Sequence, residues 1–568
     1  MKLPVLNKRN ILFSKSQVVF GIFVLNLFSA AFAVDYKNGM VVSAHPEASK
    51  VGIAILKQGG NAIDAAVAVE FALAVVYPNA GNIGGGGFMV YRASSGAVSA
   101  LDFRETAPSK ASSDMYLDKN GDPVSNLSQY GSLAAGVPGS VAGMVEAHVK
   151  YGKLAWRKLI EPAILLASHG FHITAMQASE LNKHHNDFIK YNSKQTTFTS
   201  KDEWKPGDVL KQPELARTLI LIRDKGRNGF YEGITAKRIV AEMGRGDGII
   251  QLVDLKKYRA IWREPIVAKY KNYNIITMPP SSSGGVALVS LLKSVEPFRI
   301  SKWGFQQDST VRLMVEAERR IYADRSTHLG DPDFNIIHQK ELMSDEYIKG
   351  RMTSLSFQKA TPSSEVKPGN PQGHESEQTT HFSIVDKEGN AVSITTTLNG
   401  SYGSHVVVRD AGFLLNNEMD DFSIKAGFPN QYGLVGGKMN AIEPNKRMLS
   451  SMTPTILEKD GKLFLVVGSP GGSTIITSVF QTILNVIEFG MSIQDAVAAS
   501  RFHHQWLPDK VYVEDNAIQP NVRNGLSSSG YDIVPREKIG RVDAVQVTPE
   551  GWLQGGADVR GDDTVAAY

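Results

Sequence analysis

The residues best suited to chemistry lie in the last third of the chain and combine hydroxyl, carboxylate and amide side chains with glycine. They are Thr379, Thr397, Asn399, Glu418, Asp421, Ser450, Ser451, Gly471 and Gly472. Each has a structural explanation of its own, because threonine suits a β-strand, serine a loop and paired glycines a turn before a helix. As a set, they supply a nucleophilic hydroxyl, polar contacts and close-approaching backbone amides, which are the parts of an acyl-transfer site.

The junction between Gln378 and Thr379 separates two stretches of very different composition. Residues 354–378 are rich in Ser, Pro, Gly, Lys and Glu, whereas HFSIVDKEGNAVSITTT, from His381 onward, predicts two strands joined by a turn at Gly389. Composition alone favours a linker followed by a hairpin. The alternative is a cut before Thr379, which would make this threonine an N-terminal nucleophile with its own α-amine as the base.

Other catalytic motifs are missing from the sequence. The glycine run at 84–87 does not fit G-x-G-x-x-G and favours tight packing over phosphate binding. His374-Glu375 is followed by Gln378 where a zinc protease has its second histidine, and we expect the adjacent His503 and His504 to be structural. The chain has no cysteine, which excludes thiol catalysis and cysteine-ligated metal sites.

Several motifs share one family pattern. In the second half of the chain they are QTTHFSIVDKEGNAVSITTTLN, LLNNEMDDF, PNKRMLSSMTPTI, GSPGGS and RFHHQWLPD, and near the start they are GGNAIDAAVA, GNIGGGGFMVY and LDFRETAP. Their order, from about residue 35 to the C-terminus, resembles that of the γ-glutamyltranspeptidases. The resemblance implies an N-terminal-nucleophile hydrolase of the α/β (α+β) class with a four-layer αββα sandwich. It also implies a precursor that cuts itself into large and small subunits, which stay together as a heterodimer.

The resemblance further implies a catalytic role for particular residues. Cleavage between Gln378 and Thr379 would give a large subunit of residues 34–378 and a small subunit of residues 379–568. Thr379 would then be the nucleophile, and Thr397 would orient it through a hydrogen bond. The backbone N–H groups of Gly471 and Gly472 would hold the oxyanion of the tetrahedral intermediate.

A second group of residues matches the family positions that hold the γ-glutamyl head group. The α-carboxylate would be held by Arg104, Ser450 and Ser451, since a guanidinium matches two carboxylate oxygens. The α-ammonium would be held by Asn399, Glu418 and Asp421. Residues 426–440 match a lid loop that only some family members have, with Tyr432 as its aromatic residue at the pocket entrance.

The implied substrates are glutathione and other γ-glutamyl amides, and the acyl group passes from Thr379 to water or to an amino-acid or peptide acceptor. No metal or organic cofactor is implied. Two alternatives stay open. One is a related acylase, such as a glutaryl-cephalosporin acylase or a poly-γ-glutamate depolymerase, and the other is an uncleaved exported binding protein.

The first 33 residues have the pattern of a signal peptide, with four basic residues, an apolar core from Val18 to Phe28 and the small-residue site Ala31-Phe32-Ala33. This pattern predicts export, to the periplasm in a bacterium, and the apolar core is too short for a stable membrane span. The first 33 residues contain four of the 61 basic residues and none of the acidic ones, so the rest of the chain has 57 basic and 57 acidic residues. Such a balance gives no basic footprint for nucleic acid.

The elements that must position these residues are predicted to be strand pairs between apolar helices. We expect helices at 46–58, 62–76, 472–489 and 493–500, and strand pairs within 88–103, 381–397, 453–467 and 541–554. Residues 140–350 are predicted to be mostly helical, with a strand at Tyr273–Thr277 and an irregular stretch at 278–285. Strand pairs with buried helices on both sides predict a layered αββα or α/β body.

Overall fold

The computed structural model describes residues 36–124, 126–366, 379–431, 433–434 and 436–568. The predicted signal segment and the predicted site residues Gln378 and Tyr432 lie outside these ranges. Among the described residues, none of the helices combines the length and the apolar character that crossing a bilayer requires.

Strands from all parts of the chain build the sheets. Within the described residues they are β1 Gly39–Ser43, β2 Gly86–Arg92, β3 Val98–Asp102, β4 Phe171–His172, β5 Val209–Leu210, β6 Ile261–Arg263, β7 Ile266–Tyr270, β8 Tyr273–Thr277, β9 Thr380–Asp386, β10 Ala391–Thr397, β11 Thr455–Lys459, β12 Lys462–Gly468, β13 Phe502–His503, β14 Val511–Val513, β15 Ile533–Pro535, β16 Asp543–Val547, β17 Leu553–Gly556 and β18 Thr564–Ala567.

The helices of the same residues are α1 Pro46–Lys57, α2 Ala62–Val76, α3 Ser140–Tyr151, α4 Trp156–His169, α5 Ala175–Lys183, α6 His185–Tyr191, α7 Pro213–Lys225, α8 Asn228–Tyr231, α9 Gly233–Met243, α10 Leu252–Lys257, α11 Gly284–Val295, α12 Ile300–Trp303, α13 Asp308–His328, α14 Gln339–Leu342, α15 Asp345–Met352, α16 Thr474–Ile487, α17 Ile493–Ala498 and α18 Pro520–Ser528. The predicted helix at 62–76 has the predicted bounds. Asn61 caps its N-terminus in a capping box with Asp64, and Tyr77 and Pro78 follow its last turn.

Two antiparallel sheets form the centre of the protein. The larger sheet has the order β18-β1-β9-β10-β2-β3-β6, and the smaller one has the order β17-β16-β12-β11-β8-β7. The hairpin β9–β10 lies in the middle of the larger sheet, and Gly389 in its turn has a φ of 83°. This confirms the predicted hairpin and the positive φ that favours glycine there.

Alternating side chains along these strands create four layers. Phe382, Ile384, Val392 and Ile394 on one face of β9 and β10 join the side chains of α1 and α2 in one apolar cluster. On the opposite face, Val385 joins a cluster between the two sheets. The outer face of the smaller sheet packs on α11, α13 and α16 in a third cluster. The order helix, sheet, sheet, helix is the predicted αββα sandwich.

The larger sheet takes strands from both sides of Thr379. Strands β1, β2, β3 and β6 precede this residue, and β9, β10 and β18 follow it. The predicted large and small subunits therefore share one sheet, while the boundary between them stays a prediction.

Candidate active site

Thr379 lies directly before β9, at the end of the central hairpin, and only 6% of its surface is exposed. Because Thr380 pairs with Thr396, the hairpin brings Thr379 next to the last residue of β10, Thr397. The two hydroxyl oxygens are 3.5 Å apart. The backbone N–H of Asn399 donates to the Thr397 hydroxyl at 2.7 Å, which fixes the orientation of that hydroxyl beside Thr379.

A glycine run packs against this strand end. An added Cβ on Gly85 would lie 2.0 Å from the carbonyl oxygen of Thr397, and one on Gly84 would lie 2.1 Å from that of Leu414. Real Cβ atoms do not come so close, so only glycine permits this approach of the backbones. The run at 84–87 therefore serves tight packing, as predicted.

The turn between β12 and α16 contains the predicted oxyanion glycines. Gly471 and Gly472 have φ values of 131° and 55°, which residues with side chains rarely adopt. The turn leads into the N-terminus of the 14-residue helix α16, whose dipole favours negative charge. Both glycines line cavities that also contain Thr379.

One cavity of about 290 Å³ gathers most of the predicted site residues. Nine of them line it, together with Leu434, Met452 and Ile475: Arg104, Thr379, Thr397, Asn399, Glu418, Asp421, Ser450, Ser451 and Gly472. Gly471 lines a second, larger cleft of about 810 Å³, which also contains Thr379. Thr379 thus stands between a narrow pocket and a wider cleft.

Arg104 is the charged centre of the narrow pocket. Its guanidinium is buried and contacts Glu418 Oε2 at 2.6 Å and Asp421 Oδ2 at 2.5 Å. Glu105 Oε2 lies 3.6 Å from Arg104 Nη1. Three carboxyl groups therefore lie around one guanidinium, and their oxygens can accept hydrogen bonds from a ligand that brings an ammonium group.

Burial changes the acidity of these carboxyl groups. Desolvation raises the pKa of Glu105 to about 8, although the nearby guanidinium of Arg104 opposes the shift. The pKa values of Glu418 and Asp421 are also raised by burial, again against the attraction of Arg104. Sequence reasoning missed Glu105; the only available signal was its place beside Arg104 in LDFRETAP.

Ser450 and Ser451 also line the pocket, and both are buried. The irregular stretch at 278–285 holds them. The N–H of Ser450 donates to the Ser281 carbonyl at 3.1 Å, and the N–H of Ser283 donates to the Ser450 carbonyl at 2.8 Å. The serine pair is thus fixed by a loop for which the sequence suggested no role.

The adjacent histidines face different partners, as predicted. His503 Nδ1 lies 2.8 Å from the hydroxyl of Thr477, and burial lowers the pKa of His503 well below its usual value. His504 Nε2 lies 3.2 Å from Asp509 Oδ1. Neither histidine lines either of the two cavities that contain Thr379, which agrees with the predicted structural role.

Known proteins are similar to this chain in sequence and in fold. The sequence profile described as gamma-glutamyltranspeptidase matches residues 48–568. The chain is 46% identical to the glutathione hydrolase proenzyme of Escherichia coli over 94% of this chain and 93% of that protein. A cephalosporin acylase from Bacillus halodurans matches with a TM-score of 0.84 and 27% identity over 98% and 99% of the two chains. The γ-glutamyltranspeptidase structure of Helicobacter pylori matches with a TM-score of 0.57 and 45% identity, over 59% of this chain and 96% of that one.

The match along nearly the whole chain confirms the predicted family and fold class. The roles assigned to individual site residues stay predictions. On the sequence match, the fold and the relatives, the chain belongs to the γ-glutamyltranspeptidase family and is an enzyme of its γ-glutamyl hydrolase and transferase class.

Proposed function

We propose that this enzyme is exported, cuts itself before Thr379, and uses the freed threonine to cleave the γ-glutamyl amide of glutathione and related compounds. The observation that supports this most directly is the position of Thr379. Its hydroxyl lies 3.5 Å from that of Thr397, between a narrow polar pocket and a wider cleft. A γ-glutamyl amide has a charged head for such a pocket and a variable leaving group for such a cleft.

The head group is held by charge complementarity in the proposed complex. Its α-ammonium lies near Asn399, Glu418 and Asp421, whose side-chain oxygens can accept its hydrogen bonds. Its α-carboxylate lies against Arg104 and the serine pair Ser450 and Ser451. This remote clamp places the γ-carbonyl beside the nucleophile and leaves the other side of the amide loosely specified.

In this proposal, acyl transfer proceeds in two steps, acylation and then deacylation of Thr379. The α-amine of Thr379 takes the hydroxyl proton while the oxygen attacks the γ-carbonyl, and the N–H groups of Gly471 and Gly472 stabilise the oxyanion. The C–N bond then breaks, the leaving amine receives the proton, and a γ-glutamyl ester remains on Thr379. Water or the amine of an acceptor then attacks this ester from the cleft side and gives a proton to the α-amine. The bond between the acyl carbon and the Thr379 oxygen breaks, and that oxygen takes the proton back.

The proposed cleavage between Gln378 and Thr379 explains why a precursor is inactive. Before cleavage the nitrogen of Thr379 belongs to an amide, which cannot act as a base. The Escherichia coli relative is named a proenzyme, which supports processing here. The Helicobacter pylori chain aligns with 59% of this chain, and residues 34–378 make up a similar share of the sequence.

Self-cleavage is tested by the masses and N-terminal sequences of the purified protein. We expect two fragments, which begin at Val34 and Thr379, whereas Thr379→Ala should remain one chain because it lacks the attacking hydroxyl. Ser383→Ala, on the strand that follows Thr379, is the matched control and should be cut normally. Two fragments from Thr379→Ala would contradict the proposal, since cleavage would then not need this hydroxyl.

Substrate choice separates a γ-glutamyl enzyme from a glutaryl acylase. The fold alone does not, because this chain shares it with the cephalosporin acylase of Bacillus halodurans. The carboxyl groups of Glu418 and Asp421 in the pocket favour a substrate with an α-ammonium, which a glutaryl group lacks. We therefore expect kcat/KM for γ-glutamyl anilide to exceed that for glutaryl anilide by at least about 100-fold, as for a lost buried charge contact. Faster turnover of the glutaryl compound would reject the proposed head-group specificity.

A further inference from the structure

Arg325 lies behind the serine pair of the pocket, on helix α13. Its side chain is buried, with 5% of the residue exposed. Its Nη2 donates to the hydroxyl oxygen of Ser451 at 3.0 Å, and its Nε donates to that of Ser283 at 2.9 Å. A permanently charged group therefore contacts one of the residues that line the pocket, although it does not line the pocket itself.

The same hydrogen-bond network includes the other serine of the pair. The hydroxyl of Ser283 donates to the carbonyl oxygen of Ser450 at 2.6 Å, and the N–H of Ser283 donates to the same oxygen at 2.8 Å. Arg325 thus connects to Ser450 through Ser283 and to Ser451 directly. Helix α13 and the loop 281–283 together fix both serines.

The direction of these hydrogen bonds determines what Ser451 can do. A serine hydroxyl has one proton to donate and two lone pairs that accept. Because Ser451 accepts from Arg325, its own proton stays available for an acceptor in the pocket. A hydrogen bond from a guanidinium also polarises the hydroxyl and makes it a better donor to an anion.

The charge of Arg325 adds to this effect. Arg104 contacts Glu418 and Asp421 at 2.6 and 2.5 Å, so its guanidinium already has two protein partners. Arg325 also acts on the pocket through space, since its charge lowers the pKa of Asp421 against the stronger effect of burial. A second cation near Ser451 therefore contributes attraction for a carboxylate that Arg104 alone does not supply.

We propose that Arg325 is a positioning residue for the α-carboxylate of the substrate: it orients the Ser451 hydroxyl toward that group and adds positive charge behind it. The inference rests on the proposed γ-glutamyl substrate and identifies a determinant of its recognition. Arg325 touches Ser451 and not the reacting atoms, so its loss should weaken substrate binding more than the chemical step.

The test measures KM and kcat separately for γ-glutamyl anilide in the processed enzyme. Arg325→Met should raise KM about 10- to 100-fold, as expected for a lost charge-assisted hydrogen bond, and leave kcat largely unchanged. Arg325→Lys keeps the charge and should recover part of the loss in KM. Arg312→Met is the matched control on the same helix. Arg312 pairs with Asp308, about 20 Å from Arg325 along the helix, and its replacement should leave KM unchanged.

A double-mutant cycle decides whether Arg325 acts through Ser451. Ser451→Ala should raise KM, and the double variant Arg325→Met and Ser451→Ala should raise it by less than the product of the two single effects, because the orientation of Ser451 is lost only once. Three results would each overturn the inference: single-variant changes in KM that multiply fully in the double variant, an unchanged KM in Arg325→Met, or a loss in kcat alone. If Arg325→Met fails to fold, Arg325→Lys takes its place in the cycle. Its KM should still exceed that of wild type, because one ammonium cannot replace the two hydrogen bonds from Nε and Nη2, and an unchanged KM would overturn the inference. The proposed function fails separately, when the unaltered enzyme does not cleave γ-glutamyl anilide.

Discussion

At the scale of single residues, Thr397 tests how far the nucleophile depends on a neighbouring hydroxyl. The Thr397 hydroxyl accepts from the N–H of Asn399 and lies 3.5 Å from the hydroxyl of Thr379. Thr397→Val keeps the shape and removes the hydrogen bond, so we expect kcat for γ-glutamyl anilide to fall about 10-fold or more with little change in KM. Steady-state kinetics measure both parameters.

The control for this change is the neighbouring residue on the same strand. The hydroxyl of Thr396 contacts Glu70 and the Gly86 carbonyl on the opposite face of the sheet. Thr396→Val should therefore reduce stability and leave kcat unchanged. An equal fall in kcat for both variants would mean that Thr397 acts only by supporting the strand.

The sequence alone identified cavity-lining residues that belong to family motifs. Nine predicted residues line one cavity because the family motifs mark strand ends and turns that the fold brings together. Glu105 and Arg325 were missed for a physical reason. Arg325 lies in a 21-residue helix with several other charged side chains, and only packing shows which of them points at Ser451.

At the scale of elements, helix α2 contains an acidic side chain, Glu70, whose charged form is disfavoured by its buried environment. Glu70 is fully buried between α2 and β10, where its Oε1 accepts from the Thr396 hydroxyl. Its Oε2 has no hydrogen-bond partner among the described residues. Desolvation raises the pKa of Glu70 from 4.5 to about 8, against a smaller effect of the Thr396 hydrogen bond. The folded protein therefore holds a proton here that the unfolded chain releases above pH 4.5.

This pKa shift predicts how stability changes with pH. Because the folded pKa is the higher one, the contribution of Glu70 to stability is full below pH 4.5 and is lost as pH rises to about 8. Glu70→Gln removes this loss, because the amide does not titrate. The unfolding free energy of the variant minus that of wild type should therefore rise by at most about 1.4 kcal/mol per pH unit across that range.

Urea unfolding at pH 5.5 and pH 8 measures the effect, in the Thr379→Ala background so that one uncut chain unfolds. Glu47→Gln on the exposed side of α1 is the control and should show no such slope. A difference between Glu70→Gln and wild type that does not change with pH would contradict the assignment.

The elements themselves were predictable to different degrees. Helix α2 and strand β8 have the predicted bounds. An apolar run between clear capping residues marks the helix, and a run with β-branched residues marks the strand, so both can be read from the local sequence. Strands β1 and β18 were not predicted. They are short, and their pairing with each other joins residues 39–43 to residues 564–567, which no local pattern reveals.

At the scale of the whole molecule, the larger sheet determines what a cut before Thr379 does to the protein. The hairpin β9–β10 follows the cut but is paired on both sides with strands that precede it, β1 and β2. Apolar side chains of β9 and β10 also share a cluster with α1 and α2. Separating the two fragments would expose this core and both edges of the hairpin to water.

We therefore expect the two fragments to behave as one cooperative unit after cleavage. They should elute together in gel filtration and unfold in a single transition, and residues 379–568 expressed alone should neither fold nor cleave γ-glutamyl anilide. Without β1 and β2, the hairpin has two unpaired edges and an uncovered apolar face, so the fragment cannot bury the surface that stabilises it. Circular dichroism melting of the cut enzyme, the uncut Thr379→Ala chain and the isolated fragment makes the comparison. Two separate melting transitions in the cut enzyme, or a folded isolated fragment, would show that the subunits are independent domains, contrary to the shared sheet.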